Sequence, residues 1–377
     1  MKKLLALLVV ITMSAFILTA CGPKEFEIAL VTDKGNIDDK SFNQGSWEGV
    51  VAFAEENKIS HQYYRPEEVS DEGYLAAIAL AVEGGAKVVV TPGFLFEVAI
   101  FKAQDLYPDV KFILLDGAPH DADYAEYRTN DNVASIVYAE EQTGYLAGYA
   151  AVKDGYRQLG FMGGMAVPAV QAFGYGFLQG AEDAAVELEL AKDAVSVVYH
   201  YTGDFEENAA NKATAAAMYQ GGAEVIFAAG GSVGQSVMSA AAEANKKVIG
   251  VDVDQRYDSP TVITSATKGL AASVIQVLES IYKNDNWATF GGKTTVLNAA
   301  NDGVGLPTVV LDGSSDNAFD RFQTFTRAQY DVVYAKLADG TVVPVREITI
   351  AAESGEATAQ ELISGLSLVK IKVTVQE

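Results

Sequence analysis

Asp33, Phe42, Asn43, Asp116, Met165, Phe205, Gly230, Gly231, Asp252 and Lys268 follow, or closely follow, the apolar runs of this sequence. The set is aromatic, acidic and small, with a single lysine. Carboxylates accept hydrogen bonds, often two at a time, and an amide side chain both donates and accepts. Aromatic rings offer flat faces to a heterocycle, each worth about 1–3 kcal/mol where bases stack in nucleic-acid systems. Lys268 supplies donors and offsets buried negative charge. Together these groups suit a neutral ligand rich in hydroxyls and N–H groups. A phosphate would call for more cations than the set contains.

Phe42 is the oddest member. Ser41 with Gln44 three positions on reads as an S-x-x-Q capping box, which puts Phe42 at the first helical position of a loop rich in acids. There it either faces a crevice above the sheet or closes a local hydrophobic staple. Phe205 also follows an apolar run and opens a helical pattern. Two such rings could close on a flat ligand from opposite sides.

The elements that must carry these residues are legible as alternation. Segments 26–32, 86–93, 110–117 and 133–139 read as strands, with helical patterns such as 41–57 between most of them. The rhythm then repeats at 157–164, 194–203, 223–231 and 246–254. Apolar β-branched runs alternating with helices predict parallel sheets built from βαβ units. Two sets predict an α/β protein of two doubly wound, Rossmann-like lobes. In open sheets of this kind ligands bind beyond the carboxyl ends of the strands, where the nominated residues stand. The segment 261–285 reads as strand, loop and long amphipathic helix, compatible with either lobe. The stretch from Arg346 onward reads as a strand-rich appendage of unassigned role.

Composition narrows the class. The chain has 377 residues and a formal net charge of −23, which argues against a nucleic-acid partner. His61, His120 and His200 are scattered without metal-ligand spacing. No cofactor or metal is expected. The glycines of 173–180 fall inside a helical pattern and make a weak dinucleotide fingerprint. A nucleoside-processing enzyme would need a general base with a water, or an aspartate pair on a metal. Asp252 and Asp254 could supply such a pair, but strand alternation sends them to opposite faces. At the N-terminus Lys2 and Lys3, an apolar run from Leu4 to Leu18 and small residues before Cys21 predict a secretory signal over residues 1–20. Cys21 is the only cysteine, so no intrachain disulfide can form.

Four stretches carry a resemblance. "LTAC" (18–21) resembles the bacterial lipobox, implying a lipidated Cys21 and anchoring at the extracytoplasmic face of the cell membrane. "VTDKGNIDDKSFNQGSWEG" (31–49), "VIGVDVDQ" (248–255) and "VITSATKG" (262–269) resemble the basic membrane protein family, substrate-binding lipoproteins of ABC importers. The resemblance implies the type I periplasmic-binding-protein fold, with one lobe from 25–137 and 258–288 and the other from 138–257 and 289–345. Residues 346–377 extend beyond it. It also implies a monomer that delivers nucleosides, purine ones in its best-known branch, to an ABC permease. Phe42 and Phe205 would sandwich the base, with Asn43 and Asp116 at its edge. Asp33, Asp252, Lys268 and the Gly230–Gly231 backbone would hold the ribose, and Met165 would line the pocket. Asp204 replaces the small residue that the family places before Phe205. Riboflavin, another flat heterocycle, is the alternative ligand.

Overall fold

The computed structural model describes residues 26–309, 317–348 and 358–376. The expected signal segment and Cys21 lie outside them. The first half of the chain forms β1 (Ile28–Val31), α1 (Phe42–Asn57), β2 (His61–Tyr64), α2 (Asp71–Glu83), β3 (Val88–Pro92), α3 (Glu97–Leu106), β4 (Lys111–Leu115) and β5 (Val133–Tyr138). It continues through α4 (Glu140–Lys153), β6 (Gln158–Gly163), α5 (Pro168–Glu187), β7 (Val195–Tyr201), α6 (Ala209–Gln220), β8 (Val225–Ala229), α7 (Val233–Ala244) and β9 (Lys247–Asp252). The last elements are β10 (Val262–Lys268), α8 (Leu270–Tyr282), β11 (Lys293–Leu297), β12 (Val304–Gly305), α9 (Arg327–Ala338), α10 (Ala359–Ser364) and β13 (Ile371–Gln376).

The strands pair into two sheets, ordered β11-β5-β4-β3-β1-β2 and β12-β10-β9-β8-β6-β7-β13. Every pairing is parallel except that of β12 with β10. Helices cover both faces. Along β1, Ile28 and Leu30 pack with Val50 and Phe53 of α1 and with Leu270 and Val274 of α8. Ala29 and Val31 point the other way, toward Tyr74 and Ile78 of α2 and Ile100 of α3. A strand buried on both faces favours apolar residues on each side, which is why β1 reads as an unbroken "IALV".

Pairing corrects the expected lobe boundaries in two places. The strand of segment 261–285 is β10, and it lies in the second sheet beside β9, while α8 after it packs on the first. β11, expected in the second lobe, is an edge strand of the first sheet beside β5. The chain therefore passes between sheets after β5, after β10 and after β11. The appendage also finds a place, because β13 extends the second sheet through parallel pairing with β7. The buried Glu182 carboxylate of α5 accepts from the main-chain N–H groups of Val369, Lys370 and Ile371 and fixes where that strand begins.

The glycines of 173–180 serve packing. A Cβ on Gly176 would come within 2.1 Å of the Glu141 carbonyl oxygen, and one on Gly180 within 1.9 Å of that of Tyr145. α4 and α5 approach so closely that only glycine fits between them.

Candidate functional site

Both sheets have a topological switch point, between β1 and β3 in the first and between β6 and β8 in the second. The loops after these strands face one another across a cavity of about 690 Å3, counting its open mouth. This is the position expected of a small-molecule site in open α/β sheets. Its wall contains Asp33, Phe42, Asn43, Asp116, Phe205, Gly230, Gly231, Asp252 and Lys268. Met165, nominated from sequence, is not in that wall; Val167, Val170 and Phe173, two, five and eight residues further on, are. Sequence reading also passed over Gly35, Asp39, Gly93 and Phe94. Asp39, Gly93 and Phe94 had a usable signal, since they flank a strand end or the first turn of α1.

The helix start differs from the expected capping box. The Ser41 side chain makes no cap hydrogen bond. Asp39 does that work: its carboxylate accepts from the main-chain N–H groups of Ser41, Asn43 and Gln44 at 2.9–3.0 Å. The Ser41 hydroxyl is thereby free to donate to Asp252 Oδ2 at 2.5 Å, across to the other sheet. The Gln255 amide donates to the Lys40 carbonyl at 2.7 Å and adds a second clasp between the two halves. Phe42 does occupy the first position of α1, half-buried and packed against the first lobe's core while it lines the cavity.

Asn43 is also placed differently from the expectation of a base-edge contact. Its amide nitrogen donates to Asp33 Oδ1 and to Asp39 Oδ2, both at 2.9 Å, and its oxygen accepts from the Asp33 N–H at 3.3 Å. A primary amide has two N–H donors, and both are spent. Asn43 lines the cavity as the residue that orients Asp33. Asp33 itself is pushed up to about 6 by burial, against hydrogen bonds from the Gly35 N–H and Asn43.

On the opposite wall Lys268 is the centre. Its Nζ lies 2.5 Å from Asp116 Oδ2 and 3.8 Å from Asp252 Oδ1. It lies 3.1 Å from Glu140 Oε1, an ion contact without hydrogen-bond alignment. The Phe42, Tyr138 and Phe173 rings surround the same ammonium at 4.7–5.4 Å. Burial alone would lower the lysine's pKa, but the three carboxylates outweigh it and hold the group charged. Burial raises Asp116 to about 7 despite the Lys268 charge, and it raises Asp252 as well. Asp116 Oδ1 is buried in this wall and has no donor among the described residues. Buried acceptors are almost always paired, so this oxygen is available to a ligand. Asp116 and Asp252 both have left-handed backbones, φ +60° and +66°, which Asp and Asn tolerate better than most residues.

Phe205 reaches the cavity because the backbone opposite has no side chain in its way. A Cβ on Gly164 would fall 2.4 Å from the Phe205 ring. Asp204 turns aside: its carboxylate accepts from the Asn208 and Asn211 amides and from the Glu206 N–H, which shapes the start of α6. The residue that breaks the family pattern is thus spent on the loop, and Phe205 remains in the wall.

The comparisons with known proteins agree with this architecture. A family model described as ABC transporter substrate-binding protein PnrA-like matches residues 26–334. The ABC transporter nucleoside-binding protein BmpA of Lactococcus lactis is 29% identical over 336 residues, covering 83% of this chain and 88% of its own. Basic membrane protein D of Borreliella burgdorferi is 30% identical over 285 residues, covering 74% of this chain and 78% of its own. An ABC transporter solute-binding protein of Aeropyrum pernix shares the fold, with TM-score 0.72 at 22% identity over 85% of this chain and 94% of that one. The fold is therefore that of the type I periplasmic binding proteins, and the chain belongs to the Bmp family of PnrA-like ABC transporter substrate-binding proteins.

Proposed function

We propose that this protein binds a nucleoside, of the purine class that the sequence resemblance implies, and delivers it as a monomer to an ABC importer. One observation carries the reading: a single cavity presents aromatic rings from both lobes beside the carboxylates of Asp33, Asp116 and Asp252. Phe42 and Phe205 hold the base between them. Asp252, Lys268, Asp33 and the Gly230–Gly231 backbone face the ribose, whose hydroxyls donate to carboxylates. Asp116, with its free acceptor oxygen, meets an N–H at the base edge, and Asn43 keeps Asp33 in position. The Lactococcus lactis relative, itself named a nucleoside-binding protein, supports this choice of ligand.

Mass spectrometry of ligand released from the purified protein, followed by calorimetry, is the test. The panel holds adenosine, guanosine, inosine, cytidine, uridine and riboflavin. A nucleoside should be released and should bind; binding of riboflavin alone would replace the reading. Incubation with inosine should yield no free base.

Phe42→Ala should weaken nucleoside binding by about 1–3 kcal/mol, the value of one stacking face, and Phe205→Ala likewise. Calorimetry read beside the melting temperature checks both. If affinity and melting temperature are unchanged in the two variants, Phe42 is a hydrophobic staple and the sandwich is wrong.

Anchoring through a lipidated Cys21, on the extracytoplasmic side of the cell membrane, completes the proposal. Two or more acyl chains on one residue hold a protein stably at a bilayer. Cys21→Ser should leave the ligand site intact and release the protein or leave it unprocessed. Membrane fractionation with intact-mass measurement decides; a variant still anchored at the same processed mass rules the lipobox out.

A further inference from the structure

Arg346 lies beyond residue 334, the last that the family model matches, yet it pairs with Glu140, the carboxylate behind Lys268 of the cavity wall. Its Nη1 is 2.5 Å from Glu140 Oε2, 2.9 Å from Glu141 Oε2 and 2.7 Å from the Tyr138 carbonyl. Those residues form the β5–α4 junction, where the chain first passes from one sheet to the other. The residue before it is held on both sides: the Val345 N–H donates to Gln179 Oε1 and its carbonyl accepts from the same amide. Glu140 is buried, and its two oxygens divide between two cations, Oε2 to Arg346 and Oε1 to Lys268.

We propose that Arg346 is a positioning residue for the binding cavity: by taking one oxygen of Glu140 it lightens that carboxylate's demand on Lys268, whose charge then also serves Asp116 and Asp252. This rests on the reading of that cavity as the ligand site. The groups facing Glu140 are Lys268 from β10, Arg346, the neighbouring Glu141 and Tyr138, Asp116 after β4 and Asp252 at the end of β9. Arg346 and Lys268 are the only cations among them. Burial alone would raise the Glu140 pKa, and these two cations instead bring it below the usual range. Without the guanidinium charge, Asp116, Glu140 and Asp252 share one lysine in a dry site. Unpaired buried carboxylates are costly, so the cluster takes up a proton instead. Asp116, already raised, is the group that takes it. A protonated Asp116 is a poorer acceptor toward a ligand donor, and raising the pH restores it.

The test starts without ligand, on the full chain, as a 13C titration of the aspartate carboxyls with Asp116→Asn for assignment. Arg346→Gln keeps a neutral donor and removes the charge. Its Asp116 midpoint should rise by about one pH unit, a tenfold change in protonation, while Arg346→Lys should stay near the unaltered protein. Glu140→Gln should move the midpoint the opposite way, downward. With adenosine as probe, Arg346→Gln should bind about tenfold more weakly near neutral pH and converge with the unaltered protein as Asp116 ionises. An unmoved Asp116 midpoint in Arg346→Gln, or one that does not fall in Glu140→Gln, overturns the proposal, as does an affinity loss equal at every pH. If the unaltered protein binds no nucleoside of the panel, the nucleoside reading fails, while the titration still decides the role of Arg346; if it binds another nucleoside but not adenosine, that one serves as the probe.

Discussion

Lys268→Met should cost about 3–5 kcal/mol of stability near neutral pH, the usual result of removing one partner from a buried ion pair. The ammonium is almost fully buried and is the sole cation that the described residues place in the cavity wall, facing Asp116, Glu140 and Asp252. Methionine replaces the volume, and the rings of Phe42, Tyr138 and Phe173 still have something to pack on. What remains is Asp116 and Asp252 without a cation, with Glu140 left to Arg346 alone. The loss should depend on pH, with a sign that follows from the carboxylates. Asp116 is raised from 3.8 to about 7 in the folded protein, so its contribution is fully present below the unfolded value and is lost as pH rises through the folded one. Removing Lys268 raises that carboxylate further and steepens the decline. The variant should therefore lie closest to the unaltered protein at the acid end of the window and furthest from it above about pH 7. Denaturant melts at both ends measure this. An equal deficit at the two pH values would mean that the lysine contributes packing and not charge. Nucleoside affinity should fall as well, because the protonated carboxylates accept poorly from hydroxyls.

Asp252→Asn should weaken nucleoside binding by about 2–4 kcal/mol while leaving the backbone undisturbed. Asparagine is the right replacement because position 252 has a left-handed φ of +66°, which alanine tolerates less well. The carboxylate accepts from Ser41 and stands 3.8 Å from Lys268, so it joins the first-lobe loop, the cation and the ligand wall. Two causes of weakening are thereby mixed, lost ribose contacts and a looser junction between lobes. Substrate deletion separates them. Free adenine and 2′,3′-dideoxyadenosine should bind the unaltered protein poorly, and Asp252→Asn should lose most of its preference for adenosine over the dideoxy compound. Ser41→Ala removes the cross-lobe hydrogen bond and should keep that preference. Equal affinity of the unaltered protein for adenine and adenosine would show that no ribose is read here.

Much of this architecture is local, and local patterning is what a sequence displays. The doubly buried strand β1 is an unbroken apolar run, and α1 begins at Phe42 where the sequence places it, although the cap comes from Asp39. The residues beyond strand ends could be nominated together, since the carboxyl ends of parallel strands converge on one face whatever the order of the strands. The three family-like blocks at 31–49, 248–255 and 262–269 lie within the span that the family model matches.

Partner choice was the part left to tertiary structure. β10 reads as a strand in either lobe, and only its pairing with β9 assigns it to the second sheet. The S-x-x-Q pattern at 41–44 gives way because Asp39 supplies three cap bonds and Asp252 offers Ser41 a charged acceptor from 211 positions away. Asn43 looks like a ligand-reading amide until Asp33 and Asp39 claim both of its donors. Glu140 carries no mark in "YAEEQTG"; its importance comes from Lys268 on one side and Arg346 on the other, 128 and 206 residues distant. A helix start or a buried strand depends on neighbours in sequence, which periodicity reports. A buried charge depends on which distant group is brought beside it, and that is fixed only when the two sheets close on each other.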